Sequence, residues 1–89
     1  MRLSEIAPLI EATVVRDAEF SNLGFLFDDL PDQLIFVESA HFVAAARKVR
    51  GIGCVLCTRD LVASLSGAAG LAITAEPKLA FFHLPKVLS

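Results

Sequence analysis

Three short, unbroken apolar runs constrain this chain more than any other feature. They are Leu34-Ile35-Phe36-Val37, Cys54-Val55-Leu56-Cys57 and Leu71-Ala72-Ile73. A strand with water on one side alternates polar and apolar residues, whereas a strand apolar at every position needs cover on both faces. Segments of helical spacing lie between the runs. Ser39 is placed to cap a helix on which Phe42, Val43, Ala46 and Val49 recur, and Gly51 to close it. Asp60 is placed to cap a short helix bearing Leu61, Val62 and Leu65, and residues 66–70 read as a loop. Buried strands alternating with helices indicate an α/β fold.

The flanking segments extend that pattern. Ser4 reads as the N-cap of an opening helix with Ile6, Leu9 and Ile10 on one stripe and Pro8 near the end of its first turn. β-branched Thr13, Val14 and Val15 predict a strand, and a turn at Arg16-Asp17-Ala18 leads into an extended piece over 19–25. Asp28, Asp29, Pro31 and Asp32 carry turn chemistry. Pro77 suits the first turn of a helix over 78–88, with Leu79, Phe82 and Leu88 expected on one face and Pro85 expected to kink or end it. The sum is one α/β domain over residues 1–89, with a mixed sheet of about five short strands and helices packed on it.

Composition narrows the function classes. The chain has 89 residues, 55% of them hydrophobic, and a mean hydropathy of +0.65, which excludes a disordered polar segment. Its longest charge-free stretch, 61–75, falls short of the roughly 20 residues a bilayer span needs. Met1-Arg2-Leu3-Ser4-Glu5 shows no basic segment leading into an apolar one, so no secretory signal is read and a cytoplasmic setting is expected. Eight Lys and Arg stand against ten Asp and Glu, for a net charge of −2. The one basic cluster, Arg47, Lys48 and Arg50, falls at a helix end where cations complement the dipole, so nucleic acid is not an expected partner.

Catalytic chemistry finds little support. Cys54 and Cys57 have Cys-x-x-Cys spacing, but a redox pair needs its first thiol at a helix N-terminus, and zinc needs about four ligands. Both cysteines fall within an expected strand, where residues three apart point to opposite faces, so buried inert thiols are the better reading. Ser64, Ser66, His41 and His83 form no nucleophile pattern, and His83 reads as a packing or surface residue. Gly51-Ile52-Gly53 precedes a strand and lacks the third glycine of a dinucleotide fingerprint. No catalytic group, metal site or cofactor is expected. One constellation is more suggestive: Phe36 ends a strand, Ser39 caps the next helix, and Phe42 lies in its first turn. That is where α/β sheets tend to hold ligands, and two rings flanking a polar residue suit a planar base. The competing reading places both rings in the core.

These residues also carry a family resemblance. Leu34-Ile35-Phe36-Val37 followed by Ser39 and Phe42, the later Glu76-Pro77-Lys78-Leu79-Ala80-Phe81, and the opening Arg2-Leu3-Ser4-Glu5-Ile6-Ala7 together resemble the N-terminal domain of UDP-3-O-acylglucosamine N-acyltransferases of lipid A biosynthesis. The resemblance implies a fold like the N-terminal domain of the Mur ligases, helping to hold the uracil of a UDP-sugar, with Phe36, Ser39, His41 and Phe42 at the ligand. It also implies a downstream left-handed β-helix of hexapeptide repeats that performs acyl transfer and drives trimer formation. Ser39 stands where the family has Asn, Phe42 where it has Tyr, and His41 near a usual Lys. The alternative is an α/β protein-interaction module without nucleotide binding, self-associating through the apolar C-terminal helix.

Overall fold

The computed structural model describes residues 1–24, 32–48 and 52–88. The chain opens with α1 (Leu3–Ile6), continued by a 3-10 turn (Ala7–Ile10), then β1 (Thr13–Arg16), β2 (Asn22–Leu23) and β3 (Gln33–Val37). A second 3-10 turn (Ala40–Phe42) runs into α2 (Val43–Lys48), followed by β4 (Ile52–Cys57). Two further 3-10 turns (Arg59–Leu61 and Ala63–Leu65) lead to β5 (Gly70–Ile73) and α3 (Pro77–Leu88). The strands form one five-stranded sheet in the order β1-β5-β4-β3-β2. β2 to β5 pair in parallel and β1 joins β5 antiparallel, which makes the sheet mixed.

The apolar runs are buried on both faces, as their pattern requires. Leu34 and Leu56 point to one face, where α1 and α3 bring Leu3, Ile6, Phe81 and Leu84 against them. Ile35, Val37 and Val55 point to the other, covered by Val43 and Ala46 of α2 and by Leu61 and Leu65 of the 3-10 turns. Alternation along β4 sends Cys54 to the first face and Cys57 to the second. Gly53 permits a close approach, since a Cβ there would come within 2.9 Å of the Glu19 carbonyl oxygen. Two arginines pin the segment before β5. Arg47 donates to the Ser64 carbonyl at 2.7 Å and Arg16 to that of Ser66, also at 2.7 Å. Arg47 thus spends its guanidinium on a neighbouring carbonyl.

Several local expectations are corrected. Ser4 is not the N-cap of α1; Arg2 is. Two carboxylates cap it: Glu5 accepts from the Arg2 N–H at 2.7 Å, and Asp17, from the β1–β2 connection, accepts from the Ser4 N–H at 2.9 Å and the Ser4 hydroxyl at 2.8 Å. Arg2 closes the arrangement with a 3.0 Å ion pair to Asp17. The extended piece expected over 19–25 narrows to β2, with Glu19 making only an isolated bridge to Arg2, and Phe25 lies outside the described residues. Asp28, Asp29 and Pro31 lie outside them too, as do Val49, Arg50 and Gly51. Gly70 belongs to β5, not to the loop before it. Thr58, not Asp60, stands at the N-cap position of the turn at 59–61; its hydroxyl donates to the Asp60 carboxylate and makes no cap hydrogen bond to the backbone.

The largest correction concerns α3. Its buried residues are Pro77, Ala80, Phe81 and Leu84, while Leu79, Phe82 and Leu88 are 62%, 47% and 38% exposed. This helix is apolar on more than one side, so helical spacing alone admits two inward faces. The inner one carries Phe81, which is 3% exposed, although the rings of both Phe81 and Phe82 reach Phe36 on the sheet. Pro85 neither ends nor breaks the element: α3 continues to Leu88 with Pro85 on its exposed side. Among the described residues no helix is long and apolar enough to cross a membrane.

Candidate functional site

The turn between β3 and α2 positions the predicted site residues. β3 ends at Val37, and Ser39 takes an extended conformation as N-cap, its Oγ accepting from the His41 N–H at 3.2 Å. The Phe42 N–H donates to the Ser39 carbonyl at 3.0 Å, which tightens the turn. His41 and Phe42 meet edge to face with ring centroids 5.1 Å apart and planes at 83°. Phe42 is 43% exposed. Ser39, His41 and Phe42 therefore form one compact group at the carboxyl end of a central parallel strand, where ligands of open α/β sheets gather.

Phe36 is built into a different neighbourhood. It lies on the face covered by α3, half-buried, with its ring 5.1 Å from Phe81 and 5.9 Å from Phe82. Helix α2, to which Phe42 leads, packs on the opposite face. Among the described residues, Phe81 and Phe82 complete a three-ring cluster at 5.6 Å. Such tilted and edge-to-face pairs add to the packing of α3 beyond the area they bury. Of the two rings read from sequence as flanking a planar base, one anchors the last helix and the other stands open to solvent.

The cysteines occupy the positions an inert pair would have. Both are free and buried, and the sheet separates them because they face opposite sides of β4. Burial pushes each thiol up to about 11, away from the thiolate needed for exchange or metal binding. The Cys54 Sγ donates weakly to the Ala18 carbonyl at 3.5 Å. Among the described residues no group of three His, Cys, Asp or Glu side chains converges to hold a metal ion. Asp32 is exposed in the left-handed region, at φ 47°.

A concavity away from this turn escaped the sequence reading. An open groove of about 490 Å³ runs between the first 3-10 turn and the start of α3, lined among others by Leu9, Glu11, Thr74, Glu76, Leu79 and His83. It opens at the carboxyl end of β5, and His83, read from sequence as a packing or surface residue, borders it while exposed. No periodicity could have exposed it, because Leu9 and Glu11 reach Thr74 and Glu76 only through the tertiary fold.

No protein-family model matches the chain, and no curated protein sequence matches it.

Proposed function

We propose that the chain is a non-catalytic recognition domain that helps bind the uridine part of a UDP-sugar, in the manner of the N-terminal domain of UDP-3-O-acylglucosamine N-acyltransferases. The observation that carries the reading is the exposed Phe42 ring at the carboxyl end of β3, beside a turn capped by Ser39. A ring of this kind supplies a stacking surface for a planar base, and the Ser39 hydroxyl both donates and accepts. Phe36 then acts from beneath, fixing the end of β3 through its contact with Phe81. Acyl transfer, lipid A biosynthesis, a hexapeptide-repeat partner domain and a cytoplasmic setting belong to the same proposal and rest on the motif resemblance alone. Saturation-transfer NMR with UDP-N-acetylglucosamine tests it. The uracil H5 and H6 protons should receive the strongest transfer; transfer strongest at the sugar, or none at millimolar ligand, would contradict it.

A second reading, an α/β interaction module without nucleotide binding, draws on Leu79, Phe82 and Leu88, which stand exposed along α3. Sedimentation as a function of concentration separates the two, since self-association is expected only of the module.

A further inference from the structure

We propose that the outer face of α3 is an interface between two copies of this chain, paired antiparallel about a two-fold axis level with the stretch from Leu79 to Phe82. The proposal rests on the interaction-module reading and gives that module its partner and its register. The apolar part of the face is compact. Leu79 and Phe82 are three residues apart, so they share one side of the helix, and they are 62% and 47% exposed. Leu9, 47% exposed, lines with Leu79 the groove beside that face and widens the strip. The Phe82 ring lies edge-on to Phe36 and Phe81 at 5.9 and 5.6 Å, so an exposed aromatic anchor is held in place before any contact forms. Exposed apolar groups gathered in one strip mark a contact surface, and aromatic anchors dominate the energetics of such surfaces.

Charge identifies the occupant. Glu76 directly precedes α3, Lys86 lies in its last turn, and no acidic residue falls between them. A helix with a carboxylate at its start and an ammonium at its end complements a reversed copy of itself, and the two helix dipoles then oppose as well. Glu76 stands three residues before Leu79, and Lys86 four after Phe82. The register that sets Leu79 level with the partner's Phe82 therefore sets Glu76 level with the partner's Lys86 to within one residue, about 1.5 Å of rise. Two-fold symmetry makes each contact twice. A parallel copy would instead set Glu76 against Glu76 and Lys86 against Lys86. An anionic membrane surface would meet Lys78 and Lys86 but also Glu76 and Glu11, which line the groove at the start of α3. One helix face from each copy is a small contact, below the roughly 1,200 Å² of stable interfaces, so the dimer is weak and forms by mass action.

Sedimentation velocity at low salt, from micromolar to millimolar chain, tests the arrangement. A reversible monomer–dimer equilibrium is expected. L79E should weaken it at least about tenfold, and K86E or E76K alone about fivefold, because each charge reversal turns two attractive pairs into repulsive ones. Mixing K86E with E76K should restore association, since every reversed charge then meets its opposite. All three positions are exposed, so the variants should keep the fold, checked by cooperative urea unfolding of each. Self-association unchanged by L79E or by K86E, or not restored on mixing, would overturn this arrangement and leave the module reading standing. A chain that stays monomeric to millimolar concentration would overturn both. Binding of such a monomer to phosphatidylglycerol vesicles, lost in L79E, would assign the face to a membrane surface and equally overturn the proposal.

Discussion

Two aromatic regions of this molecule use the same side chain for opposite purposes. At α3, Phe36, Phe81 and Phe82 contact one another ring to ring, and Phe81 is 3% exposed while Phe82, on the outer side, is 47% exposed. At the start of α2, Phe42 has, among the described residues, the His41 ring against it and is 43% exposed. The difference teaches that aromatic content does not mark a ligand site. What matters is whether the fold offers the ring a partner. Phe36 lies on a strand facing a helix that supplies one, whereas Phe42 sits on a 3-10 turn at the edge of the covered surface.

The contrast can be broken most forcefully at Phe81. Phe81→Ala should cost about 3–5 kcal/mol of unfolding free energy, measured by urea denaturation, as expected for removing a buried ring. A loss under about 1 kcal/mol would mean that α3 does not rest on Phe36. Thiol labelling comes next. With both thiols raised to about 11 from an ordinary 9.0, Cys54 and Cys57 should react about 100-fold more slowly at pH 8 than in the denatured chain. Fast labelling of either would place it outside the sheet interior.

A smaller effect tests the exposed rim of the molecule. Hydrogen bonds from Ser4, with Arg2 alongside, hold the Asp17 carboxyl at about 2, below its ordinary 3.8. The folded state thus binds this proton less readily than the unfolded chain. Asp17 therefore stabilises the fold above about pH 4, and its contribution fades as pH falls towards 2. Unfolding curves across that window should show the decline, and Asp17→Asn should flatten it. The smallest expected change in stability is for Phe42→Ala, within about 0.5 kcal/mol because the ring is exposed. A larger loss would mean that Phe42 serves the core and would erase the contrast with Phe36.

The fold class was legible because runs such as Leu34-Ile35-Phe36-Val37 and Cys54-Val55-Leu56-Cys57 admit few alternatives to a strand buried on both faces. The opposed orientation of the two cysteines followed from the two-residue period of a strand. The inward face of α3 was not legible, since Phe81 and Phe82 are identical neighbours and only the docking of the helix on the sheet buries the first and leaves the second exposed. Half of the cap of α1 was hidden for a related reason: Glu5 caps Arg2 locally, but Asp17 reaches Ser4 across 13 residues of chain. Of the constellation Phe36, Ser39 and Phe42, the last two share one turn and were legible together, whereas Phe36 belongs to the packing of α3. The β5 groove was missed because segments distant in sequence build it.

The most direct test of the central claim is a ¹⁵N and aromatic ¹³C titration of the chain with UDP-N-acetylglucosamine, run beside Phe42→Ala. Saturable shifts at Ser39, His41 and Phe42, lost in the folded variant, are the predicted result. Shifts that survive in Phe42→Ala, or a spectrum unchanged up to millimolar ligand, would contradict it.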